Sequence, residues 1–147
     1  MIAPIIKDRL YKAGVADMEH PWHVNYGTVT VAYEIKTASV GLLDEDKGWP
    51  NETWLFKAVA YVLHALWLEE KIHPAGPMGR EPIYVVCHGG FSRSVVVGCL
   101  AAALHTGESF WHFVDVVRET DPEALHHQDL LPVARRVFPE IFAKEDR

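Results

Sequence analysis

Apolar and polar positions change their rhythm twice along this chain. The first third reads as short strands and turns. Residues 9–12 form a weak strand that ends at Gly14, and residues 28–33 are β-branched and aromatic with strand-like alternation. Residues 39–43 suggest another short strand, running into an acidic loop over 44–50 that Gly48 and Pro50 close. From residue 54 the period lengthens. Trp54, Leu55, Ala58, Val59, Val62, Leu63, Leu66 and Trp67 recur at spacings of three and four, which predicts a helix with one broad buried face. Asn51 is the expected N-cap, and the helix ends near residues 71–74.

The second half is more regular. Residues 82–86 are a short apolar run of the kind buried on both faces of a sheet. Residues 95–104 are apolar nearly all round and predict a buried helix, broken at Thr106 and Gly107. A third helix is expected over 109–119 and a fourth over 129–137, where Pro132 is tolerated in the first turn. Strand, loop and helix therefore alternate around one core. The expected fold class is α/β: a mostly parallel central sheet with helices on both faces, built as a single domain over residues 1–147.

Composition narrows the picture. At 147 residues, 49% hydrophobic and 23% charged, the chain matches one ordinary globular domain. The net charge of −6 argues against a general nucleic-acid or anionic-membrane binder. Cys87 and Cys99 are too few for a disulfide framework, which favours a reducing, cytoplasmic setting. The apolar start at residues 1–6 meets Lys7, Asp8 and Arg9 too soon for a signal peptide, and no stretch approaches the ~20 apolar residues of a membrane span.

One segment carries chemistry. Between the central strand and the buried helix the chain reads Cys87-His88-Gly89-Gly90-Phe91-Ser92-Arg93-Ser94. A loop that wraps from a strand into a helix N-terminus turns successive backbone N–H groups inward and makes an anion cradle. Gly89 and Gly90 permit the wrapping. Cys87, at the floor, is placed as a thiolate nucleophile that the same positive field favours. Arg93 offers a planar fork for two phosphoryl oxygens, and Ser94 a hydroxyl for the sulfur. Cys99, by contrast, falls mid-helix among Val, Leu and Ala and reads as core. The histidines show no zinc-like spacing, so no metal or other cofactor is expected, and His126 and His127 read as surface residues.

At these residues the chain resembles the cysteine-dependent protein tyrosine phosphatases, specifically the small atypical dual-specificity class, whose signature is H-C-x-x-G-x-x-R-[ST]. The resemblance implies hydrolysis of phosphomonoesters, protein phosphotyrosine or phosphoserine/threonine, through a phosphocysteine. Cys87 would be the nucleophile, and residues 88–93 would bind the phosphoryl group, using the amides of His88, Gly89, Gly90, Phe91, Ser92 and Arg93. Two departures stand out. The family's histidine before the cysteine is Val86 here, which removes a group that helps hold the thiolate. The family's acid, an Asp on a preceding loop, falls on Asp46 when counted back from the helix around Phe56, with Asp44 in reserve. Trp49-Pro50-Asn51 resembles the Trp-Pro-Asp loop of classical tyrosine phosphatases, but an amide at 51 cannot supply the proton. A silent phosphate-binding module, a phosphatase of RNA 5′-phosphates or phosphoinositides, and a sulfurtransferase are the alternatives. The expected partner is a phosphorylated protein or a small phosphomonoester.

Overall fold

The structure is a computed structural model that describes residues 1–18, 28–34, 39–45, 49–76 and 79–143. Among the described residues, four strands form one sheet in the order β1-β2-β4-β3: β1 (Ala3–Ile6), β2 (Leu10–Gly14), β3 (Thr28–Thr30) and β4 (Ile83–Cys87). β4 pairs in parallel with both β2 and β3, and β1 pairs antiparallel with β2. The expected α/β class with a mostly parallel sheet is what the chain has.

Sequence and structure differ at the edges. The apolar start, given no strand from sequence, is β1; Pro4 is tolerated because β1 is an edge strand, and the register shifts between Pro4 and Ile6. Asp8, in the left-handed region with φ of 62°, turns the chain back into β2. The run at 28–33 holds ladder pairing only through Thr30, and the expected strand at 39–43 is reduced to one bridge between Ala32 and Leu42.

The described residues also form the α-helices α1 (Trp49–Ile72), α2 (Arg93–Thr106), α3 (Phe110–Thr120), α4 (Leu131–Val137) and α5 (Pro139–Phe142). α2 is the apolar run, buried from Arg93 to Ala103 and stopped by Gly107 in the left-handed conformation. Ser109 caps α3, its Oγ accepting from the His112 amide at 2.9 Å. Leu10, Ile83 and Val85 alternate onto the sheet face that joins the helical core with Leu55, Val59, Val62, Leu66, Val96 and Leu100. On the other face Tyr11 and Tyr84 stack, their ring centroids 5.4 Å apart.

Two buried polar devices fix how these layers meet. Lys12, fully buried in β2, pairs with Asp121 just after α3, Nζ to Oδ2 at 2.5 Å. Asn51 is not the N-cap of α1; the helix begins at Trp49, and Asn51 is fully buried in its first turn. Its Oδ1 accepts from the Leu43 amide at 2.8 Å, and its Nδ2 donates to the carbonyls of Leu43 at 2.9 Å and Glu45 at 2.8 Å. The side chain thereby clamps the segment on either side of Asp44. No described helix is long and apolar enough to cross a membrane.

Candidate active site

β4 delivers Cys87 to the carboxyl edge of the sheet, and the chain wraps through residues 88–92 into α2. The wrap depends on two glycines in backbone-to-backbone contact. Gly90 has φ of 79°, and a Cβ there would lie 2.6 Å from the Gly14 nitrogen; one on Gly14 would lie 2.8 Å from the Gly89 carbonyl. The end of β2 and the loop therefore touch with no room for a side chain at either position.

The loop turns its carbonyls outward. His88 O accepts from the Val15 amide at 3.1 Å, and Phe91 O accepts from the Leu125 amide at 2.6 Å. Leu125 itself has φ of 58°, an unusual backbone for a branched residue. With these carbonyls held from outside, loop amides are free to face in. The Gly90 amide does so, donating to Cys87 Sγ at 3.2 Å. Ser94 Oγ lies 3.3 Å from the same sulfur. Ser92 occupies the N-cap position of α2 but makes no capping bond with its side chain; its hydroxyl goes to Asp44 Oδ1 instead, at 2.8 Å. The positive end of α2 is left without a side-chain cap.

Arg93 opens α2 and is 8% exposed. Its Nη1 donates to the Leu42 carbonyl and to Glu34 Oε2, both at 3.1 Å, and its Nη2 pairs with Glu34 Oε1. Burial pushes the Glu34 carboxyl up, but the hydrogen bond and charge of Arg93 outweigh it and hold it below the ordinary glutamate range. Arg93 Nε is buried with no hydrogen-bond partner among the described residues. A buried guanidinium N–H without an acceptor is costly, and an anion in the loop would supply one.

A cavity of about 90 Å³ opens here, lined by Asp44, Cys87, Gly89, Phe91, Ser92, Arg93, His126 and His127. Asp44 Oδ2 lies 3.1 Å from His127 Nε2, and the His126 ring meets Phe91 edge to face at 5.8 Å. Of the residues singled out from sequence, the structure gathers Cys87, Gly89, Gly90, Phe91, Ser92, Arg93 and Ser94, with His88 exposed on the loop. Asp46 lies outside the described residues; the reserve candidate, Asp44, is at the cavity. His126 and His127, read from sequence as ordinary surface, form its wall. Glu34 and His127 were not legible as site residues, because each contact joins segments far apart in the chain; Asn51 reads from sequence as a helix cap, not as a clamp on the backbone around Asp44. Cys99 is fully buried in the core, and burial pushes its thiol well up. Among the described residues no group of three or more His, Cys, Asp or Glu side chains is arranged to hold a metal ion.

No protein-family model and no curated protein sequence matches the chain. Solved structures do. A crystal structure of a leucine rich repeat and phosphatase domain containing protein from Entamoeba histolytica aligns with a TM-score of 0.66 at 8% identity, covering 99% of this chain and 96% of the other. Tk-PTP in its active form aligns at 0.56 and 20% identity, covering 95% and 97%, and a glycine-to-alanine mutant form of it at 0.55 and 19%, covering 95% of each. Nearly the whole of each chain is matched. The fold of this chain is that of a small protein tyrosine phosphatase domain.

Proposed function

We propose that the chain hydrolyses phosphomonoesters through a phosphocysteine. One observation carries this reading: a cysteine sulfur held by the Gly90 amide and near the Ser94 hydroxyl, beside an arginine whose buried Nε lacks a partner. In the first step Cys87 Sγ attacks phosphorus in line, the P–O bond to the leaving group breaks, and the departing oxygen takes a proton from an aspartic acid at the cavity, which is left as its carboxylate. Arg93 and the inward amides hold the equatorial oxygens. In the second step water attacks phosphorus, its proton passes to the same carboxylate, the P–S bond breaks, and Ser94 steadies the released thiolate.

Asp44 is the acid in this reading, because it is the described carboxylate at the cavity and is fixed by Ser92 and His127. Asp46, outside the described residues, is the other candidate. The cavity admits a phosphoryl head and leaves the rest of the substrate at the rim formed by Phe91 and His126. That suits a phosphorylated protein or small phosphomonoester. The mechanism needs Cys87 reduced, which fits a reducing compartment such as the cytoplasm. Val86, in place of a histidine, favours one second reading, a phosphate-binding module that turns nothing over.

Hydrolysis of an aryl phosphate tests the proposal. Cys87→Ser abolishes turnover. Asp44→Asn lowers kcat by about 10²-fold for phenyl phosphate, whose leaving group needs a proton, and has little effect for dinitrophenyl phosphate. If Asp46→Asn shows that pattern instead, the acid is Asp46. Vanadate binding without turnover in the wild-type chain would establish the silent module.

A further inference from the structure

Away from the cysteine loop, α1 presents an outer face of unusual chemistry. Among its exposed positions are Trp54, Phe56, Lys57, Tyr61, Trp67 and Lys71; no exposed position of α1 is an aspartate or glutamate, Glu52 and Glu70 being half-buried. The four large aromatics are between 37% and 59% exposed, which water does not favour on a helix that could have carried polar residues there. The cations sit on the rings: Lys57 Nζ lies 5.0 Å from the Trp54 centroid and Lys71 Nζ 5.6 Å from that of Trp67, while His64 stacks on Trp67 at 5.9 Å. Between them Phe56, Lys57, Ala60, Tyr61 and His64 line a groove of about 380 Å³. Phe56 is braced from behind by Phe138, the two rings stacked at 6.2 Å.

The helix does possess carboxylates, but they are engaged elsewhere. Glu52 pairs with Arg136, Glu69 is buried and accepts from the Glu81 amide, and Glu70 is held by Arg9 and His105. A chain of net charge −6 thus keeps a long helix face whose exposed charged side chains are the cations Lys57 and Lys71.

We propose that this face docks an acidic amphipathic helix of a partner protein, with an apolar side chain in the groove over Ala60 and carboxylates beside Lys57 and Lys71. Those two lysines are fourteen positions apart, about 21 Å along the helix, which is the span the partner's acidic positions must match. A second copy of this chain fits poorly. An antiparallel pairing centred on His64 sets Lys57 against Lys71 of the other copy, and a parallel pairing sets each lysine against itself. A bilayer surface fits poorly as well, because the groove is concave and the whole chain repels anionic lipid. The proposal is independent of the chemistry at Cys87.

The test uses three fluorescein-labelled synthetic helical peptides with the same leucine stripe, the remaining positions being Glu, Gln or Lys. Fluorescence anisotropy is expected to show the Glu peptide bound about tenfold or more tightly than the Gln peptide, and the Lys peptide unbound. Lys57→Glu with Lys71→Glu reverses that order. Ala60→Arg, at an exposed position, weakens binding of the Glu and Gln peptides alike, while the circular dichroism spectrum stays that of wild type. Cys87→Ser binds the peptides as wild type does. Equal affinity for Glu and Gln peptides, or no binding, would overturn the proposal. So would tighter binding to phosphatidylserine vesicles or oligouridylate than to the Glu peptide, or concentration-dependent dimerisation abolished by Ala60→Arg.

Discussion

Arg93 meets Glu34 across 59 positions of sequence, and the pair decides which way the guanidinium faces. Two of its nitrogens are taken, so the remaining Nε–H is the one left to aim. Because the Glu34 carboxyl is held below its ordinary value near 4.5, the pair contributes to stability above that value and loses the contribution as pH falls through the lowered one. Glu34→Gln keeps the shape but not the charge. We expect it to lower kcat/KM for an aryl phosphate by about tenfold, the effect of one misaligned contact, and to remove the part of the acid-side loss of stability that Glu34 causes. Parallel rate and thermal-unfolding series across acid pH check both. At this scale the loop was legible because a strand, a fixed run of eight residues and a helix make the cradle by local geometry alone. Glu34 and His127 were not, since a lone Glu or His in a loop looks the same whether it faces solvent or an arginine.

Among the elements, the start of α1 is set by Asn51 rather than by a cap. The amide, itself buried, gives two donors and one acceptor to the backbone around Asp44. This is a physical reason for Asn in a Trp-Pro-Asn run: a carboxylate there would face two carbonyls with nothing to donate. Asn51→Asp should therefore destabilise the fold by about 1–3 kcal/mol, the cost of buried groups left unpaired, and lower kcat because the segment carrying Asp44 is released. Urea unfolding and steady-state rates test the two parts. The Lys12–Asp121 pair makes a second prediction. Removing one partner, as in Lys12→Met, strands a buried charge and should cost about 3–5 kcal/mol. Lys12→Met with Asp121→Leu should recover most of that, because the desolvation penalty vanishes with both charges; chemical denaturation of the single and double variants decides. Neither device shows in hydrophobic periodicity. A lysine in a short strand reads as a solvated edge, and the interior of β2 is known only once β1 and β4 flank it. α1 and α3 were legible because three- and four-residue spacing persists over several turns, and α2 as an unbroken apolar run; α5, about one turn long, carries too little pattern and was not expected. β1 was missed because four residues ending at a charged turn carry too little pattern.

For the whole molecule, the sheet order places β4 between two parallel neighbours, so the cysteine leaves from the middle of the sheet and not from its rim. That arrangement was legible, since the buried apolar run, the wrap and the apolar helix follow one another without a break. What sequence could not supply is how the loop is tied from outside. Val15, beyond β2, and Leu125, between α3 and α4, each give an amide proton to a loop carbonyl. Neither residue has a side chain among those lining the cavity. If an oxyanion tightens the loop, both bonds are held closed for longer, and exchange of these amides with deuterium slows. Hydrogen–deuterium exchange with and without vanadate should show added protection at Val15 and Leu125 together, while the last turn of α1 exchanges as before. Occupancy of the cysteine loop would then be visible at two amides outside it, one from each half of the chain.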